Sequence, residues 1–235
     1  MSEIPYIGTE LELFAHAKNW KSYFGGVLKP FFGRKVLEVG AGLGGTTAAL
    51  CDGEQEKWVC LEPDPALFKQ LATRIQTAQL PPCCEARNGI TGDLATDEKY
   101  DTILYIDVIE HIEKDAPELA VAKKLLAKKG HLIVLVPANQ FLFSPFDKAI
   151  GHYRRYNRKM LHQAAPDGLA LKKMTYLDSA GFVASVVNKL FLRQSYPTLA
   201  QVRMWDDRLI PLSRVADVLI GHAIGKSLIA IWQLQ

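Results

Sequence analysis

The stretch Val36-Leu37-Glu38-Val39-Gly40-Ala41-Gly42-Leu43-Gly44-Gly45-Thr46-Thr47 carries a short apolar run straight into a loop of very small residues. Lys35 to Val39 reads as a short buried strand stopped by glycine. Gly40 to Gly45 lets the backbone turn sharply and lets a ligand lie against the main chain. A helix beginning near Thr46 then offers its unbonded N–H groups to a negative or polar ligand. Strand, glycine loop and helix in this order make one unit of an α/β sheet, whose ligands lie outside the carboxyl ends of the strands.

The same alternation runs outward from this unit. Upstream, Leu11, Leu13, Phe14, Ala17, Trp20 and Tyr23 recur at helical spacing over residues 10–24, ahead of Gly25-Gly26 and Pro30. Downstream, Trp58 to Leu61 is a second strand, stopped by Glu62-Pro63-Asp64-Pro65, and Ala66 to Ala78 is its helix. Pro81-Pro82 precede a third strand near Cys84 to Arg87 and a loop from Asn88 to Leu94. Asp101 to Ile106 is a fourth strand entering a helix near Val108, and Ala116 to Leu126 is a further helix ended by Lys128-Lys129-Gly130. His131 to Val136 is a fifth strand, stopped by Pro137. Strands alternating with helices predict a parallel sheet covered on both faces. After a loop from Ala138 to Tyr156 come a short helix near Arg158–Ala164 and a sixth strand over Leu169 to Tyr176. Helical pattern then leads to a strong final strand, Lys226 to Leu234. No repeat, low-complexity tract or linker intervenes. The expectation is one domain over residues 1–235, with a helical lid at 1–30 and a helical insertion at 177–225.

Apolar residues make up 49% of the 235 and charged residues 23%, an ordinary globular balance with material for a real core. The formal net charge is +3, with acids and bases interspersed. The one dense basic run, His152 to Lys159, lacks a surrounding basic surface, so no nucleic-acid partner is expected. Four cysteines, Cys51, Cys60, Cys83 and Cys84, form no CxxC pair, so no zinc framework and no metal site are expected. Unpaired thiols suit a reducing compartment, and Met1 to Glu10 has neither a basic start nor an apolar signal core. Val215 to Trp232 is the most apolar late stretch, but Asp217, His222 and Lys226 break it. No stable membrane insertion is expected, and the cytoplasm is the expected location.

Two ligand types fit the glycine loop. Gly40-x-Gly42-x-x-Gly45 has dinucleotide spacing, and Gly40-x-Gly42-x-Gly44 has the spacing of a loop for S-adenosylmethionine (SAM). Glu62 stands about 20 residues on, where an acid grips ribose hydroxyls, and both ligands carry a ribose. Three features separate them. Glu38 lies where a dinucleotide loop usually has an apolar residue, and a carboxylate there helps order the loop and the amino-acid end of SAM. Gly92-Asp93-Leu94 follows the third strand, where an aspartate can accept from an adenine amino group. Ile106-Asp107-Val108-Ile109-Glu110-His111 ends the fourth strand and opens a helix.

With Leu37-Glu38-Val39-Gly40-Ala41-Gly42-Leu43-Gly44, Leu61-Glu62-Pro63-Asp64, Gly92-Asp93-Leu94 and Asp107-Val108-Ile109-Glu110-His111-Ile112 in this order, the sequence resembles the class I SAM-dependent methyltransferase family. The ordered motifs span roughly residues 10–176, and the last strand extends the likeness more loosely. The resemblance implies an α/β, Rossmann-like sheet of seven mostly parallel strands with helices on both faces. The last strand would be antiparallel, with the helical insertion before it. SAM would lie across the carboxyl ends of the first strands. Gly40 and Gly42 would face its methionine part, Glu62 its ribose, and Asp93 and Leu94 its adenine. Asp107 would lie near the sulfonium or ammonium end, and Ala41 and Pro63 join these as cofactor-binding candidates.

The loop after the fifth strand, Pro137 to Tyr156, is the natural substrate wall, being long, aromatic and cationic. It resembles a methyltransferase subgroup with a Gly-His-x-Arg-Arg-Tyr segment, here Gly151 to Tyr156. Phe143, Tyr153, Arg154, Arg155 and Tyr156 are its substrate-binding candidates, with Trp20 and Tyr23 on the N-terminal helix. The arginines fit either a substrate phosphate or carboxylate, or an ion pair with Asp147 that holds the loop. His152 is the preferred general base for a hydroxyl or ammonium acceptor, with His111 the second candidate. The apolar residues of the insertion suit three uses: a cap over an apolar substrate, a homodimer contact, or contact with a membrane surface. The expected activity is methyl transfer from SAM to N or O of a small, partly apolar metabolite. A nicotinamide-dependent oxidoreductase and a non-catalytic SAM-binding partner subunit are the alternatives.

Overall fold

A computed structural model of the chain describes residues 13, 14, 16–192 and 196–235. Seven strands form one sheet: β1 (Lys35–Val39), β2 (Lys57–Glu62), β3 (Cys84–Asn88), β4 (Tyr100–Ile106), β5 (Leu126–Pro137), β6 (Leu169–Leu177) and β7 (Ser227–Leu234). They lie side by side in the order β3-β2-β1-β4-β5-β7-β6. β1 to β5 are parallel, and β7 runs antiparallel between β5 and β6. The sequence order reverses between β1 and β4, which opens a crevice at their carboxyl ends.

The strands are buried on both faces, which is why they read as continuous apolar runs. Leu37, Val39, Val59, Ile103 and Tyr105 pack one face against Leu119 and Ala122 of α4 (Asp115–Lys124). Val36, Trp58, Cys60 and Leu104 pack the other against Trp20, Phe24 and Leu28 of α1 (Lys18–Leu28). Short helices α2 (Gly45–Leu50) and α3 (Pro65–Gln76) follow β1 and β2. Asp64 starts α3 by accepting from Ala66 N and Leu67 N at 2.8 and 2.9 Å, with Pro65 in the first turn.

Beyond β5 lie α5 (Pro145–Ala149) and α6 (Arg158–Ala164). The β6–β7 connection holds α7 (Ser179–Val187), α8 (Leu199–Met204) and α9 (Ile210–Leu219). Two buried acids tie this connection to α1. Asp206 accepts from Asn19 N at 3.0 Å and Trp20 N at 2.8 Å, supplying the N-terminal cap that α1 lacks locally. Asp217 accepts from Tyr23 Oη at 2.8 Å and from Asp178 N and Ser179 N at 2.7 and 2.9 Å. The indoles of Trp20 and Trp205 meet at 5.9 Å. α1 and the insertion thus form one roof over the carboxyl ends of the strands. Among the described residues, no helix is long and apolar enough to cross a membrane.

Three boundaries differ from the sequence reading. The helix that carries Trp20 and Tyr23 runs over Lys18–Leu28, past the expected end at 24, while residues 10–12 and 15, Leu11 among them, lie outside the described residues. The helix expected near Val108 is a single tight turn, Ile109–His111, ended where Ile112 becomes extended (φ −103°, ψ 116°); α4 starts afresh at Asp115. β5 begins at Leu126, which pairs with Tyr100, and a register shift between Tyr100 and Thr102 with Lys129 at φ 63° accommodates the extra residues.

Candidate functional site

The loop after β1 is shaped by the end of β2. Gly40 N and Ala41 N both donate to Leu61 O, at 2.8 and 3.1 Å. Gly40 has φ 67°, and a Cβ there would stand 2.7 Å from Val108 Cγ2, so only glycine fits. Glu62 locks the next turn: its Oε2 accepts from Gly42 N at 2.7 Å and its Oε1 from Asp64 N at 2.9 Å. Burial raises the Glu62 carboxyl above the usual range, against the pull of those two N–H groups.

Glu38 lies beneath the loop, not in it. Its Oε2 accepts from Thr47 Oγ1 and Trp58 Nε1, each at 2.7 Å, so it fastens α2 and β2 to β1. Burial pushes its carboxyl up to about 7 in spite of these donors.

Loop, roof and the segment after β5 enclose one cleft of about 1870 Å³. Gly40, Ala41, Gly42, Glu62 and Pro63 line one end, with Gly89, Ile90 and Thr91 beside them. Trp20, Phe143, Phe146, Val202 and Trp205 supply apolar wall, and Asp107, Glu110, His111, His152, Arg155 and Lys226 a polar corner.

The corner is assembled by backbone stitching. Asp107 N donates to Leu135 O at 2.9 Å, which turns the chain off β4. The long loop returns to it through Tyr153 N, which donates to Glu110 O at 2.8 Å. Arg154 donates to the carbonyls of Ile112 and Glu113 at 3.0 and 2.7 Å and pairs with Asp115 at 2.9 Å. These bonds bring His152 against His111, with ring centroids 4.5 Å apart. His152 Nδ1 lies 3.0 Å from Asp147 Oδ1, and Arg155 clamps the same carboxylate through Nε and Nη2 at 2.8 and 2.9 Å.

Asp107 lies at the bottom of the crowded cleft, where the atoms packed around it lift its carboxyl to about 7, with Lys226 and Arg155 pulling the other way. Glu110 is wholly buried, and burial followed by the charge of Asp107 raises it well above the carboxylate range. Burial, and then His152, lower His111 to about 4. Burial would raise Asp147, but the donors from His152 and Arg155 outweigh it and hold its carboxyl well below normal. Lys226 is lowered by burial, with Asp178 opposing, and its Nζ sits 4.7 Å over the Trp205 ring.

Eleven of the residues expected from sequence share this cleft: Gly40, Ala41, Gly42, Glu62, Pro63, Asp107, His111, His152, Trp20, Phe143 and Arg155. The others lie elsewhere, for physical reasons. Glu38 is committed to Thr47 and Trp58. Asp93 closes its own turn by accepting from Ile90 N at 2.9 Å, and Leu94 packs into the core. Tyr23 turns its hydroxyl to Asp217. Tyr153 is half exposed with Arg154 stacked 5.7 Å from its centroid, and Arg154 itself is spent on the carbonyls it binds. Tyr156 is fully buried and donates to Asp115 Oδ2 at 2.6 Å. The arginines are therefore loop braces, and only Arg155 reaches the cleft.

Glu110, Lys226 and Trp205 went unassigned in sequence. Glu110 carried a signal, its place in Asp107-x-x-Glu110-His111; Lys226 and Trp205 carried none. In the core face packed by α1, Cys51 Sγ comes within 3.5 Å of Cys83 Sγ and 3.8 Å of Cys84 Sγ, a thiol cluster that spacing concealed.

A Rossmann-like sheet with a glycine loop, an acid at the end of β2 and a roofed cleft defines the class. Residues 37–132 match the family model of the methyltransferase domain. No curated protein matches the chain by sequence. Among solved structures, geranyl diphosphate methyltransferase in complex with SAM is similar at TM-score 0.64 and 12% identity, over 100% of this chain and 93% of that one. The N-methyltransferase NodS of Bradyrhizobium japonicum, in complex with S-adenosyl-L-homocysteine (SAH), is similar at TM-score 0.56 and 13% identity, over 99% and 93%. The 4+2 cyclase SpnF is similar at TM-score 0.63 and 13% identity, over 92% and 80%. At these identities the likeness is one of fold, and the reaction has to be argued from the site.

Proposed function

We propose that this chain binds SAM in the cleft and transfers its methyl group to a nitrogen or oxygen of a small, partly apolar acceptor. The observation that carries this reading is the size and make-up of the cleft. Pockets for one ligand run to about 300–1,000 Å³, and this cleft exceeds that range at about 1870 Å³. It has room for a cofactor at the glycine loop and an acceptor under the roof.

In this reading the backbone of Gly40 to Gly42 lies along the methionine part of SAM. Each Glu62 oxygen already accepts one backbone N–H, from Gly42 or Asp64, and keeps a second lone pair for a ribose hydroxyl. Pro63 flanks the sugar, and Asp107 faces the ammonium group. Phe143, Phe146 and Trp205 hold the apolar body of the acceptor, and its reacting atom meets the polar corner. Transfer is an in-line displacement: an acceptor lone pair forms a bond to the methyl carbon as the carbon–sulfur bond breaks and SAH leaves. The cofactor supplies the electrophile; the chain positions the pair and excludes water.

Calorimetry with SAH tests this directly. Wild-type chain is expected to bind SAH and not NAD. Glu62→Ala, which frees Gly42 N and Asp64 N and removes the ribose partner, is expected to raise Kd at least tenfold, about 1.4 kcal/mol or more. No heat with SAH from well-folded wild type would end the proposal. SAH release in an acceptor screen then identifies the second substrate.

A further inference from the structure

Glu110 poses a problem that positioning an acceptor does not solve. It is wholly buried, and among the described residues neither carboxylate oxygen meets a side-chain donor or a well-aligned backbone one. A carboxylate stripped of water is costly to keep unless a proton or a cation completes it. Two imidazoles stand beside it. His152 Nε2 is 3.9 Å from Glu110 Oε1, and one donor atom from each of Glu110, His111 and His152 lies within 4.8 Å of the others. Ligands bound at about 2.0–2.2 Å stand roughly 3–4 Å apart across a shared ion, so the three need little adjustment.

Both histidines are braced from behind, as metal-binding imidazoles are. His152 uses Nδ1 on Asp147 at 3.0 Å, which leaves Nε2 turned toward Glu110. His111 bonds the Ile150 carbonyl, and its Nδ1 sits against Gly151, where an added Cβ would be 3.7 Å away. The charge balance also favours a cation. Arg155 is committed to Asp147 through Nε and Nη2, and Asp107 and Asp147 both crowd Glu110 with further acidic charge.

We propose that Glu110, His111 and His152 form a divalent-cation site in the acceptor end of the cleft. A mixed imidazole and carboxylate set suits a first-row transition cation better than magnesium or calcium, which favour all-oxygen shells. Three protein ligands leave positions open for the acceptor. The consequence rests on the methyl-transfer reading: the acceptor atom is a hydroxyl oxygen. Bound to the ion, the hydroxyl loses its proton to water, and the oxygen lone pair forms the carbon–oxygen bond as the carbon–sulfur bond breaks. His152 is then a ligand and not the general base.

The test titrates chelator-stripped full-length chain with Co²⁺, by visible absorption and calorimetry. One ion per chain is expected, with ligand-field bands and no near-ultraviolet thiolate band. His111→Ala, His152→Ala and Glu110→Gln are each expected to weaken binding at least tenfold with melting curves retained. Asp147→Asn, acting through His152, is expected to cost roughly 10–100-fold. Cys51→Ser is expected to change nothing. Absence of binding, a thiolate band, or unchanged affinity in Glu110→Gln overturns the site. If a histidine variant fails to fold, the wild-type spectrum still separates imidazole from thiolate ligands. SAH calorimetry on the metal-free chain keeps the two proposals apart: SAH binding without cobalt sinks the ion site alone, and cobalt without SAH sinks the cofactor reading alone.

Discussion

Replacing Glu38 with Gln tests how the floor of the glycine loop is held. The carboxyl is 2% exposed, and its pKa rises from 4.5 to about 7 through burial. The folded chain therefore keeps a proton that the unfolded chain releases. Stability is complete below pH 4.5, falls between 4.5 and about 7, and levels off above. Each pKa unit corresponds to about 1.4 kcal/mol, so the loss across this window is about 3 kcal/mol for this one group. A glutamine oxygen can accept from both Thr47 Oγ1 and Trp58 Nε1, which now share Oε2, so Glu38→Gln keeps the bonds and removes the titration. Other groups titrate in the same window, but they do so in both proteins and cancel in the difference. Urea unfolding of both proteins from pH 4 to 8, at matched m-values, reads that difference. The variant is expected to match wild type near pH 4 and to gain on it by up to about 3 kcal/mol by pH 8. A difference that stays flat across the series refutes the argument, because the buried carboxyl would then be ionised at no cost.

Gly40→Ala is expected to lose about 1–3 kcal/mol, from left-handed backbone strain and the contact with Val108. Adding Val108→Ala should return only the steric part, read by the same unfolding curves. Asp147→Ala leaves Arg155 buried beside Lys226 without its partner, and is expected to cost about 3–5 kcal/mol in denaturant unfolding. A loss in Asp147→Asn as large as in Asp147→Ala would show that charge, and not shape, holds the loop.

Much of the architecture was legible in the chain because it is local. Alternating apolar runs and helical periods mark the strands, and glycine at 40, 42 and 44 marks the turn, since each takes a left-handed φ. Glu62 and Asp107 were legible as well, for each closes a strand whose end must face the crevice. The tight turn at Ile109–His111 was not, because it stops where Ile112 becomes extended, and an isoleucine carries no local stop signal for a helix.

The cleft's chemistry was a matter of folding. Sequence placed Arg154 and Tyr156 on the substrate wall by their neighbourhood to His152, but adjacent residues on an extended loop point in different directions. Arg154 went to the carbonyls of Ile112 and Glu113 and Tyr156 into the core, while His152 swung to Glu110. The sequence by itself determined the sheet, the glycine turn and the acid that locks it, since hydrophobic period and backbone conformation are properties of neighbouring residues. Only the tertiary structure decided that Glu110, His111 and His152 meet, and that Asp206 caps a helix 187 residues away. Those contacts depend on how far-separated segments satisfy one another's buried polar groups, which local pattern does not encode.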